Sequence, residues 1–261
     1  MSTSTFATLR ARELGASAAS GIMAWYGKLP LGAGLVVATA TALQFINTFV
    51  TVPGCFAGAG FWAAPFSAIY NIFMSHLLHT GWIHLIFNIL AFTPFAGYQE
   101  RQMGTYPFLH FLLLLAFTTS IVYFTLVFVV GFVFSSVWQA CVAGLSGIVF
   151  ALIAVEANKG VMAEQDFFGF KVPGALFPWF LLVITQILFM SASFFGHLAG
   201  ILAGLLFARG YLDIFIPSRS SFSRVEENPF LGGLARFPAY VQVPGVKSLL
   251  RAFVVTYPSA R

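Results

Sequence analysis

Long apolar runs alternate with short polar segments along the whole chain. Six runs can be drawn, at about 31–52, 72–97, 108–134, 138–155, 173–190 and 196–207. About 20 apolar residues in a helix cross the hydrocarbon core of a bilayer, since each residue advances the helix by about 1.5 Å. The pattern therefore predicts an all-α membrane protein with a six-transmembrane-helix bundle, whose second helix begins at Ile72 or at Gly81.

Three segments lie outside these runs. Residues 1–30 lack a short apolar core followed by a small-residue cleavage site, so no removable signal peptide is predicted. Residues 53–70 carry no charge but contain Trp62, glycines and prolines, which is typical of a loop at the membrane interface. Residues 211–261 are polar, and we expect a mostly irregular tail. The predicted organisation is an N-terminal segment (1–30), a six-helix domain (31–210) and this tail.

Composition agrees with a membrane protein. Of the 261 residues, 59% are hydrophobic and 8% are charged, whereas soluble domains carry about 25% charged residues. The net charge is +5, but the basic residues form no cluster, so nucleic acid is not an expected partner. Cys55 and Cys141 are too few for a disulfide framework, and each is interpreted as a small buried apolar side chain.

The charged residues predict an orientation. With six helices and both termini in the cytosol, all 13 lysines and arginines fall on the cytosolic side, as the positive-inside rule requires. They are Arg10, Arg12, Lys28, Arg101, Lys159, Lys171, Arg209, Arg219, Arg224, Arg236, Lys247, Arg251 and Arg261. The eight acidic residues fall on the same side. The opposite end then has no carboxylate, so a serine hydrolase there would use a Ser-His dyad rather than a Ser-His-Asp triad.

Polar side chains converge on that uncharged end. Ser146 lies about eight residues, or about 12 Å, inside the fourth predicted helix. His197 begins the sixth, and His84 and Asn88 share one face of the second. Such groups at membrane depth are costly and mark functional sites. We interpret Ser146 as a nucleophile and His197 as its general base, with His84, Asn88 and the Ser146 backbone N–H as oxyanion donors.

Small residues predict how Ser146 meets His197. They recur at four-residue spacing beside each of the two, and such ridges let membrane helices approach backbone to backbone. The members are Gly196, Gly200 and Gly204 on the sixth helix and Ala143, Gly147 and Ala151 on the fourth. We predict that these helices touch, which would bring Ser146 within hydrogen-bond reach of His197.

Plainer interpretations stay open from the residues alone. Ser146 could return its hydroxyl to a carbonyl one turn earlier. Glycine ridges also occur in membrane packing generally, and His84 with Asn88 could form a polar clamp between helices.

The remaining histidines are assigned no chemistry. His79 is expected to brace a loop, and His76 and His110 to be structural or interfacial. No metal site is predicted, because the sequence has no His-Glu-x-x-His helix and no carboxylate at the uncharged end to complete a ligand set. No cofactor is predicted.

Four motifs together resemble the rhomboid family of intramembrane serine proteases. In chain order they are His79-Thr-Gly-Trp-Ile-His84-Leu-Ile-Phe-Asn88, Glu100-Arg101, Gly144-Leu-Ser146-Gly147, and Gly196-His197-Leu-Ala-Gly200 with Gly204. They cover the six-helix domain. The resemblance implies a bundle with a water-filled cavity open to the lumen, in which Ser146 and His197 react and His84 and Asn88 stabilise the oxyanion. Substrates would be transmembrane segments of other proteins, cut near their luminal end, and Glu100 would belong to a structural network on the cytosolic side.

The chain departs from the family pattern at three places. Its first loop has Trp62 but no arginine between Arg12 and Arg101. Phe150 stands where tyrosine is common, so it can stack on the catalytic histidine but cannot hydrogen-bond, and Gly196 stands where alanine is common. We expect these changes to alter loop architecture and substrate preference more than catalytic competence.

In layout the chain resembles the small fungal rhomboids of the Golgi. The resemblance implies a Golgi membrane protein whose cytosolic tail recruits an AAA ATPase. The one candidate docking stretch is Asn228-Pro-Phe230-Leu-Gly-Gly-Leu-Ala-Arg236-Phe. From the residues alone, a flexible solvated tail is the interpretation that we favour over a docking site.

Two other function classes remain. A non-catalytic rhomboid-like protein could bind transmembrane clients for quality control or trafficking, although it would not need Ser146, His197, His84 and Asn88 together. A small transporter would show paired repeats with broken helices, and the sequence contains no convincing internal repeat.

Overall fold

The computed structural model of the protein describes residue 21 and residues 25–57, 65–160, 164–167, 169–190, 192–228 and 232–243. The helices in these residues are α1 (Leu31–Phe49), α2 (Pro65–Leu77), α3 (Trp82–Met103), α4 (Thr105–Gly131), α5 (Ser146–Asn158), α6 (Phe177–Leu188), α7 (Phe194–Ala208) and α8 (Arg219–Glu227). A short antiparallel hairpin, β1 (Glu164–Phe167) and β2 (Phe170–Pro173), connects α5 to α6. Trp62, residues 229–231 of the docking stretch and most of the N-terminal segment lie outside the described residues.

Two helices are individually long and apolar enough to cross a bilayer, α1 with 19 residues and α4 with 27. Two further spans are possible as bent pairs: Ile69–Leu77 with Trp82–Met103, at 86°, and Phe194–Ala208 with Asp213–Glu227, at 82°. α5 and the stretch Gly174–Leu188 are apolar but shorter. This mostly helical, apolar fold is that of an all-α membrane protein. That the chain crosses the membrane six times, and that its termini lie in the cytosol, stay predictions.

α5 lies at the centre of the bundle. All its residues from Gly147 to Ala157 are buried, as expected of a helix that is apolar on every side. α3, α4, α6 and α7 all pack against it. Glu156, the residue after the fourth predicted apolar run, lies in the last turn of α5 and is 3% exposed. It can be buried there because Gln99 of α3 donates a hydrogen bond to its carboxylate and Lys159 lies 3.8 Å away.

Of the two starts predicted for the second helix, Gly81 is the one that agrees with the structure, where α3 begins at Trp82 and a separate helix, α2, precedes it. Residues 78–81 separate α2 from α3, which are bent by 86°. His79 stabilises the break, because its Nδ1 lies 3.1 Å from the carbonyl oxygen of Leu77 at the end of α2. The bend places His84 in the first turn of α3, next to the exposed Trp82 and Ile83.

Glu100 joins three helices at the end of the bundle opposite Ser146. Its side chain is fully buried, and its two carboxylate oxygens accept the backbone N–H groups of Gly32 and Ala33 at 2.7 and 2.8 Å. These donors belong to the first turn of α1, where N–H groups have no partner within the helix and favour a negative charge. The Thr105 hydroxyl donates a third hydrogen bond, at 2.7 Å. The carboxylate is thus compensated by three donors from α1 and α4.

The described part of the tail, residues 211–228 and 232–243, contains α8 and two short 3-10 helices. α8 packs against α4 through Phe222 and His110, whose ring centroids lie 5.8 Å apart. Residues 239–243, which we call the C-terminal strap, then run back across the bundle. Its backbone bonds to the first residues of two helices, Leu31 N–H to the Ala239 carbonyl and Thr105 N–H to the Val241 carbonyl, each at 2.8 Å. Side-chain sequence patterns do not reveal such backbone contacts, which is why an irregular tail was expected.

Tyr240 and Glu226 fasten the strap to α8. The Tyr240 hydroxyl donates to the Glu226 carboxylate, and the Val243 N–H donates to the same carboxylate at 3.0 Å. Burial, followed by the contact with Glu226, raises the pKa of Tyr240, so the phenol stays protonated and remains a donor. The strap is therefore held by side chains as well as by backbone.

Candidate active site

Ser146 is the first residue of α5, which corrects its predicted position well inside a helix. The chain before it is a 3-10 turn, Ser135–Gln139, followed by extended and turn residues. Gly144 ends the extended segment before α5, because its φ of 115° lies in a region that favours glycine. The N–H groups of Ser146 and Gly147 thus lie at a helix N-terminus, where they have no helical acceptor and the helix dipole favours negative charge.

The segment that leads into Ser146, residues 140–145, is fixed at almost every residue, and we call it the active-site loop. Tyr123 donates its hydroxyl to the Ala140 carbonyl at 2.9 Å. Phe56 and Val142 exchange two backbone hydrogen bonds, at 3.1 and 3.3 Å. The Gly144 N–H donates to the Ser75 carbonyl at 2.7 Å. These contacts anchor the loop to α2, to α4 and to the chain after α1.

His79 holds the last residue of the active-site loop. The Leu145 N–H donates to its Nε2 at 3.3 Å, while its Nδ1 is bonded to the carbonyl of Leu77. His79 therefore braces a loop, as expected from the sequence. His76 has a separate structural environment, since its Nε2 lies 3.1 Å from both the Ala116 carbonyl and the Ser120 hydroxyl of α4.

Cys55 and Cys141 form a disulfide, with their Cα atoms 5.5 Å apart. Both residues are exposed, so the expectation of two small buried side chains is wrong. The sequence gives little sign of the pairing because the two residues are 86 positions apart. The disulfide adds a covalent link beside the Phe56–Val142 pair.

His84 borders the active-site loop from α3. A Cβ added to Gly144 would lie 2.8 Å from Cε1 and 3.0 Å from Nε2 of His84, so only glycine leaves room for this ring. The Thr80 hydroxyl lies 3.1 Å from the other ring nitrogen, Nδ1. Asn88, one turn further on, donates one amide hydrogen to the His84 carbonyl at 2.8 Å, which leaves its second amide hydrogen for another acceptor. Thr80 was not among the predicted site residues, although its position four before His84 is a detectable signal.

His197 lies in the first turn of α7 and is 5% exposed. Phe150 of α5 stacks on its ring, with centroids 4.5 Å apart and planes inclined by 26°. Its Nδ1 is buried and has no hydrogen-bond partner among the described residues. Within those residues there is also no hydrogen bond between His197 and Ser146, so the predicted direct contact is not formed in this state of the protein.

α5 and α7 pack backbone to backbone along the two predicted ridges. A Cβ on Gly200 would lie 2.1 Å from the Gly147 carbonyl oxygen, and one on Gly204 would lie 2.4 Å from that of Ala151. Gly196, next to His197, has Val142 of the active-site loop against it. The spacing of small residues thus corresponds to a contact that places the helix of Ser146 beside the helix of His197.

A small, partly open cavity lies between these elements. Its lining residues include Gly144 and Gly147, on either side of Ser146, and Gly196 before His197. The cavity also borders Ser75 and Thr119, whose buried hydroxyl oxygens have no hydrogen-bond partner within the described residues. The described residues contain no group of three or more His, Cys, Asp or Glu side chains that could hold a metal ion.

Comparison with known proteins gives a consistent family assignment. A sequence model described as "Rhomboid domain" matches residues 67–213. "Rhomboid-type serine protease 2" of Neurospora crassa is 33% identical over 180 residues, which are 68% of this chain and 63% of that protein. "Rhomboid-like protein 15" of Arabidopsis thaliana is 29% identical over 182 residues, or 68% of this chain and 45% of the relative.

A human relative, "Rhomboid-related protein 4", is 31% identical over 144 residues, or 54% of this chain and 46% of the relative. The chain therefore spans about half to two thirds of the length of these curated relatives. Because the family model covers more than half of the chain and includes Ser146, His197, His84 and Asn88, the protein belongs to the rhomboid family.

Proposed function

We propose that the protein is an intramembrane serine endopeptidase that cuts transmembrane segments of other membrane proteins near their luminal end. The observation that carries this proposal is that two imidazoles contact residues before and after Ser146 in the chain. His197 stacks on Phe150, four residues after Ser146, and His84 lies against Gly144, two residues before it. Relatives named serine proteases support the same chemistry at the level of the family.

In the proposed reaction, His197 removes the proton from the Ser146 hydroxyl as the oxygen attacks the scissile carbonyl carbon. The Nδ1 of His197 has no carboxylate partner in the described structure, which supports a dyad, in which the ring is positioned by stacking rather than by an aspartate. The same histidine then gives its proton to the leaving amine. Water hydrolyses the acyl-enzyme with His197 again acting as base.

The negative oxygen of the tetrahedral intermediate would be stabilised by donors around the start of α5. The Ser146 N–H is free at the helix N-terminus. If the Thr80 hydroxyl donates to Nδ1 of His84, the ring hydrogen is on Nε2, the atom that faces the Gly144 side of the loop. Asn88 supplies its second amide hydrogen.

The hydrogen bond between Ser146 and His197 would have to form when substrate binds. Catalytic hydrogen bonds are often long or unformed in free enzymes and tighten in the substrate complex. Because α5 and α7 are already in close backbone contact at Gly147 and Gly200, we expect side-chain and loop shifts, rather than movement of the helices, to form it.

Labelling with a fluorophosphonate probe tests the proposal without knowledge of the substrate. We expect the probe to modify Ser146 in the folded protein, and Ser146→Ala to remain unlabelled. His197→Ala should label much more slowly, since the serine then lacks its base. A wild-type protein that is folded but not labelled would instead favour a non-catalytic rhomboid-like protein that binds transmembrane clients.

The Golgi membrane remains our proposed location, and recruitment of an AAA ATPase by the tail remains a prediction. The docking stretch that begins at Asn228 contains residues 229–231, which lie outside the described structure. Fluorescence microscopy of the tagged full chain tests the location. Co-purification of a cytosolic ATPase with the full chain, and its loss when residues 228–237 are deleted, tests the recruitment.

A further inference from the structure

The active-site loop is anchored to one segment that has few contacts of its own, the chain after α1. In residues 50–57 the Val52 N–H donates to the side chain of Asn47, and Asn71 donates to the Cys55 carbonyl at 3.0 Å. Both bonds lie in partly or fully exposed positions, where water competes with them. Two residues are exceptions: the buried ring of Phe56 packs on Tyr123, and the buried Gly54 lies against Leu78.

The disulfide is the covalent part of this anchor. It joins Cys55 to Cys141. The neighbouring residues Phe56 and Val142 form an isolated backbone pair, so the disulfide holds the same two segments together. Val142 in turn lies against Gly196, the residue before His197, while the same loop ends at Ser146. A displacement of the loop at residues 141–142 is therefore passed to both members of the proposed dyad.

We infer that the Cys55–Cys141 disulfide is a positioning element for Ser146 and His197, so that turnover requires the oxidised pair. The inference rests on the proposed protease function. Small displacements of reacting groups are enough for a large effect, since a shift of about 1 Å can cost on the order of a hundredfold in rate. Hydrogen bonds with Tyr123, Ser75 and His79 would keep the reduced loop folded, but residues 141–142 would then be held only by the backbone pair of Val142 with Phe56.

The environment of the pair fits this role. Both cysteines are exposed and lie at the end of the bundle predicted to face away from the cytosol, where disulfides form and persist. A dithiol reductant such as dithiothreitol breaks the S–S bond by thiol–disulfide exchange: the reductant closes to a cyclic disulfide, and two electrons and two protons pass to the cysteines. Oxidised glutathione reverses the exchange.

The test measures kcat and KM of the purified full-length protein for a transmembrane reporter, before reduction, after reduction and after reoxidation. We expect kcat to fall by about tenfold to a hundredfold on reduction and to recover with oxidised glutathione. Cys55→Ala, Cys141→Ala and the double variant should all show the low kcat and no response to reductant, because a disulfide needs both partners. Far-UV circular dichroism and the melting temperature of each sample show whether the fold is kept.

Each outcome is decisive. Equal kcat before and after complete reduction, verified by mass spectrometry of alkylated cysteines, would overturn the inference while the protease function stands. The same conclusion follows if the thiols are free in the untreated protein, or if activity falls only in proportion to unfolding. Absence of cleavage by the oxidised wild type would overturn the proposed function itself, and the inference with it.

Discussion

Ser146 owes its place at a helix N-terminus to Gly144. The positive φ of that glycine ends the extended loop and lets α5 begin at the serine, and its missing side chain admits the ring of His84. One residue thus sets both the orientation of the proposed nucleophile and the approach of a proposed oxyanion donor. Phe150 likewise positions a site residue without a polar group, because stacking on His197 needs an aromatic face but no hydroxyl.

Asn88→Ala tests the oxyanion role at the residue scale. The substitution removes the amide bond to the His84 carbonyl and the second amide hydrogen. If that hydrogen stabilises the oxyanion, kcat should fall by about 10²- to 10³-fold while the fold is kept. The measurement is kcat and melting temperature on the same preparation.

Asn158→Ala is the matched control. Asn158 makes the same type of bond, to a carbonyl four residues earlier at 2.9 Å, but near the opposite end of α5. It should lose a similar, small amount of stability, about 1 kcal/mol, without loss of kcat. Equal losses of turnover in the two variants would contradict a catalytic role for Asn88.

At the element scale, the contact between α5 and α7 was predictable because it depends on residue types at regular spacing. The start of α5 was not, because the apolar pattern continues from Trp138 through Gly144 and hides a loop that only a positive φ reveals. For the second helix the sequence left the choice between Ile72 and Gly81 open, since the break before α3 is stabilised by a local contact of His79 with a carbonyl. The hydrophobic pattern of a sequence shows which helix faces are buried. It does not show where a helix ends, because helix ends depend on local hydrogen bonds.

Gly200→Ala tests the close contact of the two helices. The added methyl would lie 2.1 Å from the Gly147 carbonyl oxygen, so α5 and α7 must separate. We expect a loss of about 1–3 kcal/mol in unfolding free energy, measured by thermal or denaturant unfolding, together with loss of activity.

Gly34→Ala in α1 serves as the control, because its nearest neighbour would be the Tyr26 hydroxyl at an ordinary 3.6 Å. Its stability should be unchanged or higher, since alanine is the better helix former. If the two alanine variants melt at the same temperature, the contact between α5 and α7 is not as close as described.

At the scale of the whole molecule, the two ends of the bundle contain different kinds of polar group. The Ser146 end contains histidines, hydroxyl groups and a disulfide, whereas the opposite end contains the buried carboxylates Glu100 and Glu156 with their donors. The charge distribution along the sequence was sufficient to predict this polarity. The C-terminal strap was not predictable, because Ala239 and Val241 act through backbone groups that every sequence has.

Truncation of the tail tests whether the strap is part of the folded unit. Removal of residues 239–261 deletes the acceptors of the Leu31 and Thr105 N–H groups and the contact of Tyr240 with Glu226. We expect a lower melting temperature, by several degrees, since about 1 kcal/mol is lost for each buried donor left without a partner. Removal of residues 244–261 alone keeps the strap and should melt higher than the shorter chain. Identical melting temperatures for the two truncations would show that the strap contributes nothing to stability.

The central claim is that Ser146 and His197 cut peptide bonds in the membrane. Its most direct test is cleavage of a generic type I transmembrane reporter by the purified, oxidised full-length protein in detergent, with Ser146→Ala and His197→Ala in parallel. We predict a single cut near the luminal end of the reporter's transmembrane segment by the wild type, and no product from either variant at matched melting temperature. Cleavage that persists in Ser146→Ala would contradict the account, because the nucleophile would then lie elsewhere.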